Sequence, residues 1–157
     1  MRKAIFPGSF DPFTRGHWDI ARRVIPMFDK LYIAVGYNIS KQGLLSSDAR
    51  VELIRDTFKD EPRVEVLSYN TLTVELCNKL GVDILVHGVR SFSDFEYERQ
   101  IAEVNSQIRQ GTENLFLLAS PGYASVSSSA VRELIHHKAD LTPFLPPQIN
   151  IEDYLQK

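Results

Sequence analysis

Three features of the chain predict an α/β fold, a doubly wound five-stranded parallel sheet in the order 3-2-1-4-5 with helices on both faces. Five short apolar runs of strand length alternate with segments whose apolar residues recur at helical spacing. Parallel strands joined by right-handed crossovers satisfy that alternation most economically. The 157 residues, 43% of them hydrophobic, match one domain in size and can supply its core. With no internal repeat, linker or low-complexity tract, residues 1–157 are expected to form a single domain.

Each element has a local reason. Arg2–Phe6 is a short buried strand that runs through a Pro-Gly-Ser turn into an amphipathic helix, with Ala21, Val24, Ile25 and Phe28 recurring on its inner face until Pro26 to Phe28 ends it. Lys30–Gly36 is the second strand, followed by the polar loop Tyr37–Gly43. Ser46 or Ser47 caps a helix from about Asp48 to Phe58 with Val51, Leu53, Ile54 and Phe58 inward, and Val64–Leu67 is the next strand. Thr71–Leu80 is helical and closed by Gly81, the residue suited to a left-handed cap. Ile84–Gly88 is the fourth strand. Ser93 and Glu96 have capping-box spacing and open a helix carrying Tyr97, Ile101, Val104 and Ile108 on one face, which Gly111 ends. Asn114–Leu118 is the fifth strand, the turn Ala119–Val126 leads to a helix from Ser127 to about Lys138, and a last short helix follows Pro146-Pro147.

Bulk properties exclude several classes. The 18 basic and 20 acidic residues leave a net charge of -2, so there is no global basic field for nucleic acid and any phosphate site must be local. The single cysteine, Cys77, has no intrachain partner and fits a packed helix position in a reducing compartment. No apolar stretch approaches membrane-spanning length and no leader pattern precedes the first strand, so the expectation is a cytoplasmic protein with no membrane partner.

The residues that bear chemistry gather where that topology puts ligands. In the order 3-2-1-4-5 the carboxyl ends of strands one and four flank the switch point, which brings Ser9 beside Gly88–Arg90. After the first strand, Gly8 is expected to let a ligand approach the backbone, Ser9 offers a hydroxyl, and His17 lies in the first helical turn, where free N–H groups favour phosphate. Lys41 points toward the same edge from the second loop. Arg90 is a fork donor for phosphate oxygens, and the hydroxyls of Ser127, Ser128 and Ser129 beside free N–H groups form a second anion cradle. Taken alone, His17 reads as a core histidine and Glu96 and Glu98 as helix-start charges, Arg90 reads as a phosphate donor more readily than as a surface charge, and the serines fit a redundant cap and an anion cradle alike. The motif as a whole decides for function.

Gly8-Ser9-Phe10-Asp11-Pro12 followed by Thr14-Arg15-Gly16-His17 resembles the signature of the nucleotidyltransferase superfamily that shares its Rossmann-like fold with class I aminoacyl-tRNA synthetases. Ser40-Lys41, Gly88-Val89-Arg90, Asp94 to Glu98, Asn105, Ser127-Ser128-Ser129 and Phe144-Leu145-Pro146 sharpen it. The chain resembles the bacterial phosphopantetheine adenylyltransferases over essentially its whole length. That resemblance implies adenylyl transfer from ATP to 4′-phosphopantetheine, giving dephospho-coenzyme A and pyrophosphate in coenzyme A biosynthesis. It implies ATP contacts at Ser9, Phe10, His17, Gly88, Val89, Arg90, Glu98 and across Tyr123, Ala124, Ser125, Val126, Ser127, Ser128 and Ser129. Phosphopantetheine contacts are implied at Ser9, Lys41, Leu72, Thr73, His87, Asn105 and Glu133. A homohexamer and feedback by coenzyme A are implied in the same way.

Two positions depart from the family's best-known pattern, and both concern the acceptor. His87 stands where an arginine would face the acceptor phosphate, which makes its positive charge conditional on pH. Thr73 stands where a larger apolar residue is expected. The acceptor phosphate is already anionic, so no residue need act as nucleophile; aligning like-charged groups and stabilising developing charge are the tasks, with His17, Lys41, Arg90 and Ser128 as the catalytic candidates. Mg2+ is expected on the triphosphate, with no protein metal ligands assigned. The alternatives are another small-molecule nucleotidyltransferase of the superfamily, for example one acting on nicotinamide mononucleotide, and a non-catalytic nucleotide-binding module. The run Asp94 to Glu98 argues against the first. The joint presence of His17, Lys41 and Arg90 argues against the second.

Overall fold

A computed structural model describes residues 1–156; Lys157, the last residue of the expected domain, lies outside them. Five parallel strands form one sheet: β1 (Lys3–Gly8), β2 (Lys30–Gly36), β3 (Val64–Tyr69), β4 (Ile84–Val89) and β5 (Glu113–Leu118). Their order is β3-β2-β1-β4-β5, as the alternation predicts. The helices are α1 (Arg15–Val24), α2 (Ser47–Thr57), α3 (Thr73–Leu80), α4 (Phe92–Ile108) and α5 (Ser128–His136), with short 3-10 turns at Ile25–Met27 and Ile151–Asp153.

The two-residue period of the strands divides the core. From β1, Ala4 and Phe6 join Ile20, Ala21 and Val24 of α1, Leu53 and Ile54 of α2, and Val131 of α5 on one face. Ile5 turns to the other face, where it meets Leu85 and the α3 residues Leu76 and Cys77. Burial raises the Cys77 thiol above its ordinary pKa, so it is a packing residue rather than a reactive one. Gly81 closes α3 at φ 63°, ψ 46°, the left-handed cap that the sequence predicts.

Three local readings are corrected. Ser91, not Ser93, caps α4 by accepting from Asp94 N–H at 3.2 Å. Glu96, freed from a capping box, pairs with Arg99 at 2.8 Å. Tyr97, Val104 and Ile108 do share a face of α4, but that face is open: they are 65%, 56% and 58% exposed. Among the described residues the segment after Pro146-Pro147 makes a single 3-10 turn, Ile151–Asp153, where a short helix is expected.

Candidate active site

Three adjoining cavities form one cleft over the carboxyl edge of β1, β2 and β4, and Ser9 lines all three. The first, about 1100 Å³, is walled by the 37–44 loop and includes Lys41, Arg50 and Arg132. The second, about 390 Å³, contains Thr73, His87, Glu98 and Asn105. The third, about 270 Å³, lies between the start of α1 (Gly16, His17), the end of β4 (Gly88, Val89, Arg90) and the start of α5 (Ser127, Ser128, Ser129). The second and third meet at Ser9, His17, Gly88 and Ser128.

The α1 start is built by a reciprocal cap. Thr14 N–H donates to His17 Nδ1 at 3.0 Å and His17 N–H donates to Thr14 Oγ1 at 3.3 Å. Because Nδ1 accepts, the ring proton of His17 resides on Nε2, which has no protein partner among the described residues. Phe10 and Phe13 stand 5.0 and 5.3 Å from the imidazole by ring centroids. That burial, with the Arg90 cation as a second cause, lowers the His17 pKa from 6.5 to about 4. At neutral pH His17 is therefore an uncharged N–H donor.

Gly8 lines the second cavity, and it also makes room for Phe10, whose ring would stand 2.8 Å from a Cβ at that position. Phe10 itself holds a left-handed φ of 50° and is 2% exposed, so its ring backs His17.

The α5 start leaves amides open. Ser127 caps through Ala130 N–H at 3.1 Å, Ser128 Oγ donates to the Pro12 carbonyl at 2.9 Å, and Ser129 Oγ accepts from Arg132 Nη2 at 3.1 Å. Among the described residues the backbone N–H groups of Gly16, Ser128 and Ser129 meet no protein acceptor. Two helix N-termini thus open on the third cavity, with Arg90 beside them, and this is an arrangement suited to a polyanion. Arg90 is loosely paired to Asp94 at 3.7 Å.

The second cavity has another character. The His87 ring stacks on Phe116 at 5.0 Å and is 8% exposed. Its Nε2 donates to Asn114 Oδ1 at 2.9 Å and its Nδ1 faces Glu98 Oε2 at 3.5 Å, so both nitrogens meet protein groups. Burial raises the Glu98 carboxyl pKa; His87 opposes that rise and Asp94 adds to it. Thr73 Oγ1 lies 2.9 Å from Tyr69 Oη, and the Tyr69 ring would stand 3.3 Å from a Cβ on Gly36. The hydroxyl at position 73 therefore anchors a ring that walls both the first and second cavities.

The other candidate residues fall as follows. Tyr123 and Val126 line the third cavity, while Ala124 and Ser125 are exposed outside it. Glu98, assigned to ATP from the resemblance, lies with His87 and Asn105. Leu72, 53% exposed ahead of α3, lines none of the three. Glu133 is turned outward onto His137 at 2.9 Å. Lys41 is exposed on the loop bordering the first cavity and forms no ion pair among the described residues.

Two groups that position the cleft are long-range and went unrecognised in the sequence. Asp11 Oδ2 and Oδ1 accept from Leu44 and Leu45 N–H, each at 2.8 Å, and Arg50 Nε lies 3.5 Å from Oδ1. Arg50 also donates to the Ser9 carbonyl at 3.3 Å. This buried pair ties the Lys41 loop to the first motif, and Gly43 packs so closely against both side chains that a Cβ has no room. Asp19, 2% exposed, accepts from Ser120 Oγ at 2.5 Å and from Arg23 at 3.3 Å, anchoring the 119–126 loop to α1. Burial opposes its ionisation, but these hydrogen bonds outweigh it and hold its carboxyl below the usual range.

Comparison with known proteins bears on this geometry. Residues 5–134 match the cytidylyltransferase-like family. The chain is 45% identical over 152 residues to the phosphopantetheine adenylyltransferase of Flavobacterium psychrophilum, covering 97% of this chain and 100% of the relative. The chain belongs to this nucleotidyltransferase family. The enzymes of the same name from Phocaeicola vulgatus and Staphylococcus haemolyticus are each 41% identical, over 97% and 99% of this chain and 100% and 95% of their own lengths. Full-length coverage of these adenylyltransferases means that the cleft, both its helix starts and the α4 wall all lie within the shared region.

Proposed function

We propose that the protein transfers the adenylyl group of ATP to the phosphate of 4′-phosphopantetheine, giving dephospho-coenzyme A and pyrophosphate. The observation that carries this is the junction of the second and third cavities at Ser9, His17, Gly88 and Ser128, where two helix N-termini open onto one point. ATP occupies the third cavity with its phosphates on the α1 and α5 amides and Arg90. The acceptor enters the second, and its phosphate reaches the α-phosphorus at the junction.

An acceptor phosphate oxygen attacks the α-phosphorus, the bond to the β-bridging oxygen breaks, and pyrophosphate departs with that electron pair. Both partners are anionic, so no proton has to move and no side chain becomes covalently attached. His17 donates Nε2–H to the transferred phosphoryl oxygens, whose charge grows in the transition state. Its neutrality, enforced by the aromatic enclosure, keeps it a donor over the physiological range. Lys41, carried on the loop held by Asp11 and Arg50, supplies a cation opposite Arg90.

Among the described residues no three or more His, Cys, Asp and Glu side chains come together as a metal-holding group. The third cavity offers amides and guanidinium groups, donors that suit phosphate oxygens, and we place Mg2+ on the ATP phosphates, where it neutralises charge. No described helix is long and apolar enough to cross a membrane, and we assign the protein to the cytoplasm. The unpartnered α4 face, with Phe92 at 82% and Leu118 at 71% exposure nearby, supports assembly with further copies into a homohexamer. Coenzyme A, which contains the acceptor's pantetheine arm, is placed at the second cavity as a feedback ligand.

Pyrophosphate release from ATP tests the function. Turnover with phosphopantetheine and not with nicotinamide mononucleotide is expected. The reverse preference would make the protein a different nucleotidyltransferase, and ATP binding without release would make it a binding module.

A further inference from the structure

One buried carboxylate behind the cleft serves no step of the mechanism above. Asp19, on the second turn of α1, takes three donors: Ser120 Oγ at 2.5 Å, Arg23 Nη1 at 3.3 Å and Arg22 Nη2 at 3.4 Å. Arg23 Nη1 also reaches the Leu118 carbonyl at 2.8 Å and Ser120 Oγ at 3.2 Å, so the end of β5 and the start of the following loop are fastened to α1 together. From Ser120 the fastening passes along the loop by backbone bonds. The Ser120 carbonyl accepts from Tyr123 N–H at 3.0 Å, the Tyr123 carbonyl accepts from Val126 N–H at 3.0 Å, and Val126 immediately precedes Ser127, the cap of α5. Asp19, Arg23 and Ser120 line none of the three cavities, whereas Ala119, Tyr123 and Val126 line the third and not the other two.

This placement separates the two substrates. One wall of the third cavity hangs from Asp19, while Thr73, His87, Glu98 and Asn105 of the second are carried on α3, β4 and α4, which the network does not touch. Packing alone does not fix the hanging wall. Pro121, Gly122, Ala124 and Ser125 are exposed, and only Tyr123 and Val126 of that stretch pack inward, so the bonds at its start decide how those two residues meet the cavity. We infer that Asp19 is a positioning residue for the nucleotide: through Ser120 it holds the 119–126 loop in the form that receives ATP, and so sets ATP affinity without touching ATP. A hydroxyl bound to a carboxylate is a strong tether, and a loop released from it has to be ordered at the expense of binding.

The role of this residue rests on the adenylyl-transfer reading, but its test does not depend on the acceptor. ATP with Mg2+ is titrated calorimetrically, without acceptor, into wild type, Ser120→Ala, Ser120→Thr and Asp19→Asn, with thermal melting of each. Michaelis constants for ATP and for phosphopantetheine are then measured with the other substrate saturating. The expected result is an ATP dissociation constant raised about tenfold in Ser120→Ala, the scale of losing a hydrogen bond to a charged group, and restored to within about threefold of wild type in Ser120→Thr, which keeps the hydroxyl. Asp19→Asn keeps an acceptor oxygen for Ser120 but not the charge, and its ATP affinity should lie between those of Ser120→Ala and wild type. The constant for phosphopantetheine and the saturated turnover should stay within about twofold. Unchanged ATP affinity in a folded Ser120→Ala, or in Asp19→Asn if the alanine variant does not fold, overturns the inference. So does an equal loss for both substrates, or a threonine variant no better than alanine. If the ATP titrations follow the expected order while phosphopantetheine is not adenylylated, the positioning role stands and the acceptor assignment falls.

Discussion

Replacing His17 with glutamine separates the catalytic from the structural work of this residue. A glutamine at the third helical position can still accept from Thr14 N–H and so keep the reciprocal cap, but it does not present an N–H where Nε2–H now stands. Loss of one donor at a transition-state oxyanion costs about 3 kcal/mol, so turnover should fall by roughly 10²- to 10³-fold with substrate constants little changed. Stability supplies an independent reading. With the imidazole titrating at about 4 in the fold against 6.5 unperturbed, the unfolded chain binds a proton between those values that the folded chain refuses. Wild type therefore loses roughly 3 kcal/mol as pH falls from neutrality to about 4, from His17 alone, and regains it as pH rises. Glutamine does not titrate, so the His17→Gln variant should show that much less acid sensitivity in urea unfolding. Continuous pyrophosphate-release assays and paired urea melts at neutral and acid pH provide both quantities. Turnover within about threefold of wild type would refute the catalytic role, and parallel stability profiles would refute the enclosed neutral imidazole.

Asp11→Ala leaves Arg50 buried without its carboxylate and frees two loop amides, so unfolding free energy should drop by about 3 kcal/mol or more in urea, with turnover falling through the unmoored Lys41 loop. An unchanged unfolding midpoint would show that the pair does not hold that loop. At the second cavity, His87→Arg puts a permanent cation where the imidazole now faces Glu98 at 3.5 Å, so the Michaelis constant for phosphopantetheine should fall in the variant with turnover largely kept. An unchanged constant would remove His87 from acceptor recognition. Changing Val104 and Ile108 together to Asp puts charge on the open face of α4 and, on the proposed homohexamer, should lower the mass found by light scattering, with the melting of the fold largely retained. An unaltered mass would place the assembly surface elsewhere.

The elements that a local pattern controls were legible before the structure. Apolar runs marked β1 to β5, their alternation with helices gave the order, and Gly81 announced its left-handed cap. The first motif placed Ser9 and His17 at the switch point beside Gly88–Arg90, where the cavities are found. Partners distant in sequence were not legible. Nothing near Asp11 announces Leu44, Leu45 and Arg50, and nothing near Asp19 announces Ser120. Helical spacing showed that Tyr97, Val104 and Ile108 share a face but not whether anything covers it, because periodicity is the same against a core and against a second chain. Two signals were readable and missed. Thr14 and His17 have capping-box spacing with an imidazole in the place of Glu or Gln, and Arg132 follows Ser129 by three residues, one helical turn from the serine-rich start.

At the centre of the account is a single displacement at the junction of two cavities, with no protein nucleophile. The stereochemical course at the α-phosphorus tests it most directly, using an ATP analogue whose α-phosphorus is chiral through one sulfur substitution and determining the configuration of the dephospho-coenzyme A formed. One in-line attack by the acceptor phosphate predicts inversion. Retention would mean two successive displacements through an adenylylated side chain, and would contradict the assignment of Ser9, His17 and Ser128 as groups that align and stabilise without becoming attached.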